Sequence, residues 1–155
     1  MSKGAAPHVL LVVAPYSTEI VEDLCRGAVT ALEEQGATWE RIDVAGAFEI
    51  PGAIALALDA EARGGGKFDG YLGLGCVIRG ETSHYDLICN EVARSLQTMA
   101  VERLVAVGFG LLTTENGAQA RVRASPEGKD KGREAVRACL GMIALKRRFA
   151  SGGAA

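Results

Sequence analysis

Two histidines, His8 and His84, and four cysteines, Cys25, Cys76, Cys89 and Cys139, are too few and too scattered to hold a structural metal. No cysteine pair has CxxC spacing, so the pattern argues against zinc and for reduced thiols. Long apolar runs are also missing. Nothing approaches the ~20 residues of a membrane span. The first apolar stretch, Val9–Ala14, is too short for the core of a signal peptide and stops at Pro15. The cytoplasm is therefore the default expectation. Blocks of one charge are absent too. Lys and Arg number 17 against 19 Asp and Glu, a net charge of −2, which favours neither nucleic acid nor a membrane surface as partner.

What is present is ordinary globular material. The 155 residues, 48% of them apolar, fit one domain over 1–155, which buries about 68–70% of its unfolded surface without help from disulfides or metals. Short β-branched runs alternate with longer helical periods. His8–Ala14 reads as a buried strand. Ser17 or Thr18 is placed to cap a helix whose apolar face is Ile20, Leu24, Ala28, Ala31 and Leu32, and Gly36 suits its stop. Ala37–Val44 reads as a second strand. Pro51 opens a helix running to about Arg63. Tyr71–Ile78 is a third strand, followed by a helix over Asp86–Val101 with Leu87, Ile88, Val92, Leu96 and Met99 inward. Leu104–Phe109 is the fourth strand and Thr114–Ala124 a short helix. Ser125–Asp130 is a polar turn, and Val136, Leu140 and Ile143 stripe a final helix. Four β-α units in succession imply a parallel sheet covered on both faces.

In such sheets ligands bind beyond the carboxyl ends of the strands. That rule selects four segments: Pro15–Ser17, Gly46–Pro51, Arg79–Tyr85 and Gly110–Asn116. His84 and the aromatics Tyr16, Phe48 and Tyr85 fall in them, with Phe109 at the lip of the last. Each candidate admits a plainer reading. His84 is either a helix-capping residue or a general base near neutral pH. Tyr16 either packs or offers a stacking face. Glu49 either favours a helix N-terminus or accepts hydrogen bonds from a polyol. Gly80-Glu81-Thr82 is a common turn, or an anion site at a helix N-terminus. Arg121, Arg123 and Lys131 are solvated charges unless one is aimed at a phosphate.

Read together, the segments resemble one family. Ala47-Phe48-Glu49-Ile50-Pro51-Gly52 resembles the G-A-F/L-E-I-P segment of the lumazine synthases. Gly75 to Asp86 (GCVIRGETSHYD) resembles their G-x-V-I-R-G-x-T-x-H-Y/F-D stretch. Leu112-Thr113-Thr114-Glu115-Asn116, then Gln119-Ala120 and Arg123, resembles L/V-T-x-E-N…Q-A…R, and Lys131-Gly132 matches the K-G that starts the last helix. The matches lie in the family's order and span essentially the whole chain.

The resemblance implies an α/β, flavodoxin-like three-layer sandwich around a four-stranded parallel sheet. It also implies active sites shared between neighbouring subunits of a homopentamer, and no metal or other cofactor. By that resemblance Tyr16 stacks on a pyrimidine, where the family usually has Phe or Trp, and Ser17 sits at its edge. Ala47, Phe48 and Glu49 hold a ribityl chain. The strand end Cys76, Val77 and Ile78 reads the ring's polar edge. Glu81 and Thr82 contact a phosphate, and His84 moves protons. Phe109, Arg123 and Lys131 come from the adjacent subunit, with Glu134 paired to the phosphate-binding arginine. The implied substrates are two small molecules, a ribitylamino-pyrimidine and a four-carbon sugar phosphate. A non-catalytic lumazine- or flavin-binding module on the same scaffold is the competing class; it needs Tyr16 and the ribityl segment but not His84 with Arg123. Family members that form capsids tend to carry a Gly-Asn pair before the last helix. Here that turn reads Glu127-Gly128-Lys129-Asp130, which points to free pentamers or pairs of them.

Overall fold

Val9 to Val13 are each at most 3% exposed, although their side chains point alternately to opposite faces. A strand like that must be covered on both sides, and the rest of the chain supplies the covers. The computed structural model describes residues 4–152. Along it run β1 (His8–Val13), α1 (Thr18–Glu34), β2 (Thr38–Asp43), a 3₁₀ turn (Ala47–Glu49), α2 (Ile50–Ala62), β3 (Gly70–Ile78), α3 (His84–Glu102), β4 (Ala106–Thr114), α4 (Gly117–Ala124) and α5 (Lys131–Ala150). The strands form one parallel sheet in the order β2-β1-β3-β4. The expected three-layer α/β architecture is the one observed.

The two halves of the core follow the strand pleat. Val9, Leu11 and Val13 pack with α1, α4 and α5 through Leu24, Ala28, Leu32, Ala120, Ala124, Val136 and Ile143. Leu10, Val12 and Ala14 pack with α2 and α3 through Ile50, Ile54, Leu58, Ile88, Val92 and Leu96. Burying one such Val, Leu or Ile side chain contributes about 1.5–3 kcal/mol. On the first face α1 and α5 cross at two glycines: a Cβ on Gly27 would strike the Asp130 carboxylate, and one on Gly132 would strike the Leu24 carbonyl. That close crossing fixes where α5, and with it Lys131, begins.

Several sequence expectations shift. The fourth strand, read as Leu104–Phe109, runs from Ala106 to Thr114 because it pairs with the full length of β3, from Gly70↔Ala106 to Ile78↔Thr114. Leu104 lies outside it, 71% exposed and with a left-handed φ of 53°. The short helix consequently starts at Gly117 rather than Thr114. The third helix starts at His84, two residues before Asp86, and Leu87, read as inward, is 58% exposed. Neither Ser17 nor Thr18 caps α1 as expected. Ser17 occupies the capping position with φ 62° and ψ 57° but makes no side-chain capping bond, and the Thr18 hydroxyl donates to the Pro15 carbonyl. Gly36, at φ 67°, ends the α1 segment as expected.

Candidate active site

The chain leaves β1 towards β2 on one side and, after β2, returns to β3 on the other. This reversal opens a crevice above the strand ends. A cavity of about 740 Å³ lies there, lined by Tyr16, Ser17, Ala47, Phe48, Glu49, Cys76, Val77, Ile78, Thr82 and His84, all expected at the site. Gly46, Gly80, Tyr85 and Ile88 complete the wall. Gly46, Gly80 and Tyr85 fall in the strand-end segments picked from the sequence. Ile88 had only a weaker signal, its position one helical turn after His84 on the same face.

Each wall has a local cause. Tyr16 is 77% exposed and Phe48 58% exposed, so both rings stand at the cavity with a free face. Large apolar side chains left open in this way, rimmed by polar groups, mark binding surfaces. Ser17 is held in the left-handed region, which a residue with a Cβ seldom adopts and which clusters at ligand sites. Its side chain caps nothing. The extended Gly46 and the 3₁₀ turn after it present Ala47, Phe48 and Glu49 along the cavity. Cys76 is buried, and burial pushes its thiol up to about 11. It is therefore a neutral wall group rather than a nucleophile. Burial raises the other thiols as well: Cys25 to about 11, Cys139 to about 12, and Cys89 upward.

The start of α3 forms the far wall. His84 is its first residue, and the His84 amide donates to Thr82 Oγ1 at 3.3 Å. Ser83, in the capping position, makes no side-chain bond to the helix. The N-terminus thus keeps donors and a positive dipole end for an anion. Glu81 is exposed and is not among the residues that line this cavity.

Phe109, Arg123 and Lys131 do not join this wall. They line a second cavity of about 270 Å³ with Gly110, Leu111, Leu112, Thr113 and Glu134, on β4 at the outer edge of the sheet. The two cavities share no lining residue. The Thr-Glu-Asn…Gln run proves to be a helix-starting device. Asn116 Oδ1 accepts from the Gln119 amide at 2.9 Å, and Gln119 Oε1 accepts from the Glu115 amide at 2.9 Å, a reciprocal arrangement like a capping box. One turn on, Arg123 Nη1 donates to the Gln119 carbonyl at 3.1 Å. The expected pairing of Glu134 with Arg123 is not formed. Glu134 instead accepts from Lys131 Nζ at 2.6 Å, because the two lie three residues apart on α5. Near the same helix start, Asp130 accepts from the Arg133 amide and side chain.

Among the described residues no helix is long and apolar enough to cross a membrane. Comparison with known proteins agrees with the geometry. The model of the 6,7-dimethyl-8-ribityllumazine synthase family matches residues 6–147. A 6,7-dimethyl-8-ribityllumazine synthase 1 of Mesorhizobium japonicum is 48% identical over 92% of this chain and 87% of its own length. A 6,7-dimethyl-8-ribityllumazine synthase of Agrobacterium fabrum is 48% identical over 92% of this chain and 97% of its own. One from Rhizobium meliloti is 46% identical over 96% and 97%. With the sheet order, the strand-end cavity and these relatives in agreement, the chain belongs to the 6,7-dimethyl-8-ribityllumazine synthase family.

Proposed function

We propose that the chain condenses 5-amino-6-(D-ribitylamino)uracil with 3,4-dihydroxy-2-butanone 4-phosphate to 6,7-dimethyl-8-ribityllumazine, the penultimate step of riboflavin formation. The observation that carries this reading is the strand-end cavity. It combines open aromatic faces, a carboxylate at Glu49 and a histidine on the first turn of a helix with free N–H groups. A planar heterocycle, a polyol and a phosphate are the ligands such a set suits.

In this reading Tyr16 stacks on the pyrimidine and Ser17 meets its edge. Ala47, Phe48 and Glu49 hold the ribityl chain, and the backbone of Cys76, Val77 and Ile78 pairs with the ring's polar groups. The 5-amino group adds to the ketone, and loss of water gives an imine. Phosphate is then eliminated, and the ribityl-bearing nitrogen closes the second ring with loss of another water. His84 moves the protons, a contribution of typically 10²–10⁴-fold. Thr82, with Glu81 through its backbone, receives the phosphate at the α3 N-terminus. Much of the remaining acceleration comes from orienting two substrates that are already reactive.

We further propose that each site is completed by Phe109, Arg123 and Lys131 of an adjacent copy. Two observations support this: those residues line a cavity of their own at the outer sheet edge, and the first cavity has no guanidinium or ammonium in its wall. Arg123 then holds the phosphate and stabilises its departing charge. Head-to-tail contacts of this kind close into a ring, here a homopentamer, with Glu127–Asp130 favouring free pentamers or pairs of them over a capsid. Light scattering near five or ten chains supports this assembly, and a megadalton particle or an active monomer refutes it. The activity is tested by incubating the protein with both substrates at neutral pH and following lumazine fluorescence. Product that binds without being formed would instead establish the non-catalytic binding module.

A further inference from the structure

His84 reaches the cavity from the first turn of α3, yet its ring makes no hydrogen bond to any of the described residues; outside the helix ladder its bond is through the backbone amide, which donates to Thr82 Oγ1. What holds that turn in place is Arg79, just past the end of β3. Its Nη1 and Nη2 donate to the two oxygens of Asp86 at 3.1 and 3.2 Å, and its Nε donates to Glu115 Oε2 at 2.9 Å. The guanidinium carbon also lies 4.2 Å from the centre of the Tyr85 ring. Its amide, in addition, donates to the Thr114 carbonyl at 2.9 Å. One planar cation thus grips the residues at positions two and three of α3 and ties them to the loop after β4.

These contacts use the arginine's geometry more than its charge. The fork meets a carboxylate bidentately while the plane stacks on an aromatic, and a lysine cannot do both. The Asp86 and Glu115 carboxylates hold the guanidinium's pKa above its ordinary value, the hydrogen bond to Asp86 contributing most. Arg79 itself lines neither cavity, so it is not placed to touch a substrate. We infer that Arg79 is a positioning residue for His84: clamping Tyr85 and Asp86 to Glu115 sets the direction in which the imidazole enters the cavity.

This inference rests on the proposed reaction, and a double-variant cycle separates the two. Wild type, Arg79→Ala, His84→Ala and the double variant are assayed with both substrates, with fold checked by circular dichroism and assembly by light scattering. Arg79→Ala is expected to lower kcat about 10-fold, since small displacements of a reacting group carry large rate costs. KM for either substrate should move by less than about threefold, the split expected when an interaction matters mainly in the transition state. In the His84→Ala background the same substitution should change kcat little, because both act through one imidazole. Arg79→Lys keeps the charge and serves where Arg79→Ala fails to assemble; it is expected to fold and remain slow. Multiplicative losses in the double variant, or full turnover in Arg79→Lys, would overturn the positioning role. A wild-type protein that forms no lumazine would remove the reaction itself, and the inference with it.

Discussion

The two cavities of this chain are built in different ways. The larger one is a consequence of topology. Once the sheet runs β2-β1-β3-β4, the connections leaving β1 and β3 diverge and a crevice follows. Its walls come from the carboxyl end of β3, from the segments after three strands and from the first two turns of α3. The smaller one sits on β4, a strand with no partner on its outer side among the described strands, and it has Arg123 and Lys131 in its wall. The first offers aromatic faces and a histidine without a cation; the second offers cations without a histidine. Each holds groups the other lacks, and the proposed adjacent copy is what would bring the two sets together. The division of chemistry between them is the physical argument for a shared site.

The largest effect should come from the first cavity. His84→Ala is expected to lower turnover by roughly 10–10³-fold, within and just below the usual range for acid–base groups, with the fold retained because the ring bonds to nothing the structure describes. Steady-state kinetics on correctly assembled protein checks this, and near-wild-type turnover would remove the assigned role.

Arg123→Ala tests the second cavity. A cost of about 1.5–3 kcal/mol, the worth of a charged hydrogen bond, should fall on use of the sugar phosphate and spare the pyrimidine. Tyr16→Ala should show the opposite preference, with a smaller loss of about 0.5–1.5 kcal/mol for a lost aromatic contact. Kinetics against each substrate in turn decides both. If Arg123→Ala impairs the pyrimidine instead, the division between the cavities is wrong.

Mixing the two defects sharpens the contrast further. Chains carrying His84→Ala, dissociated and reassembled at equal proportions with chains carrying Arg123→Ala, should regain about a quarter of wild-type turnover. In a head-to-tail ring that fraction of junctions unites two intact halves. No recovery, in mixed rings verified by native mass spectrometry, would mean that each chain completes its own site.

The same division explains what could be read from the sequence. The first cavity is legible because Val9–Val13 is a continuous apolar run and Tyr71–Ile78 is apolar apart from Gly73 and Gly75, so locating those strands also locates Tyr16, Ser17 and His84. β4 is less legible because its end, Thr113 and Thr114, is polar and reads as loop, and its length is set by pairing with β3 rather than by its own composition. The Glu134 partner departs from the expectation because the arginine pairing is implied by the family resemblance, whereas Lys131 lies three residues away on the same helix and reaches the carboxylate first. The Arg79 clamp unites positions 79, 86 and 115, a contact between the ends of two strands and a helix that no local pattern announces.

Two residues share a backbone strain and differ in what relieves it, and the smallest effect is expected at one of them. Ser17 and Asp130 both take left-handed conformations at a helix start, φ 62° and φ 45°, Ser17 in the wall of the first cavity and Asp130 next in sequence to Lys131 of the second. Asp130 compensates for that strain, since its carboxylate accepts from the Arg133 amide at 3.3 Å and from Arg133 Nε at 2.9 Å. Ser17 makes no capping bond that would do so. Asp130→Ala should therefore cost about 1–2 kcal/mol of stability, the upper range for a lost cap. Ser17→Ala should stay within about 0.5 kcal/mol of wild type, as for a side chain with no structural partner, and should weaken the pyrimidine instead. Urea unfolding and a pyrimidine titration on both variants measure the difference. A destabilised Ser17→Ala with unchanged pyrimidine affinity would make Ser17 a structural cap, and its strained backbone would then have no bearing on the ligand.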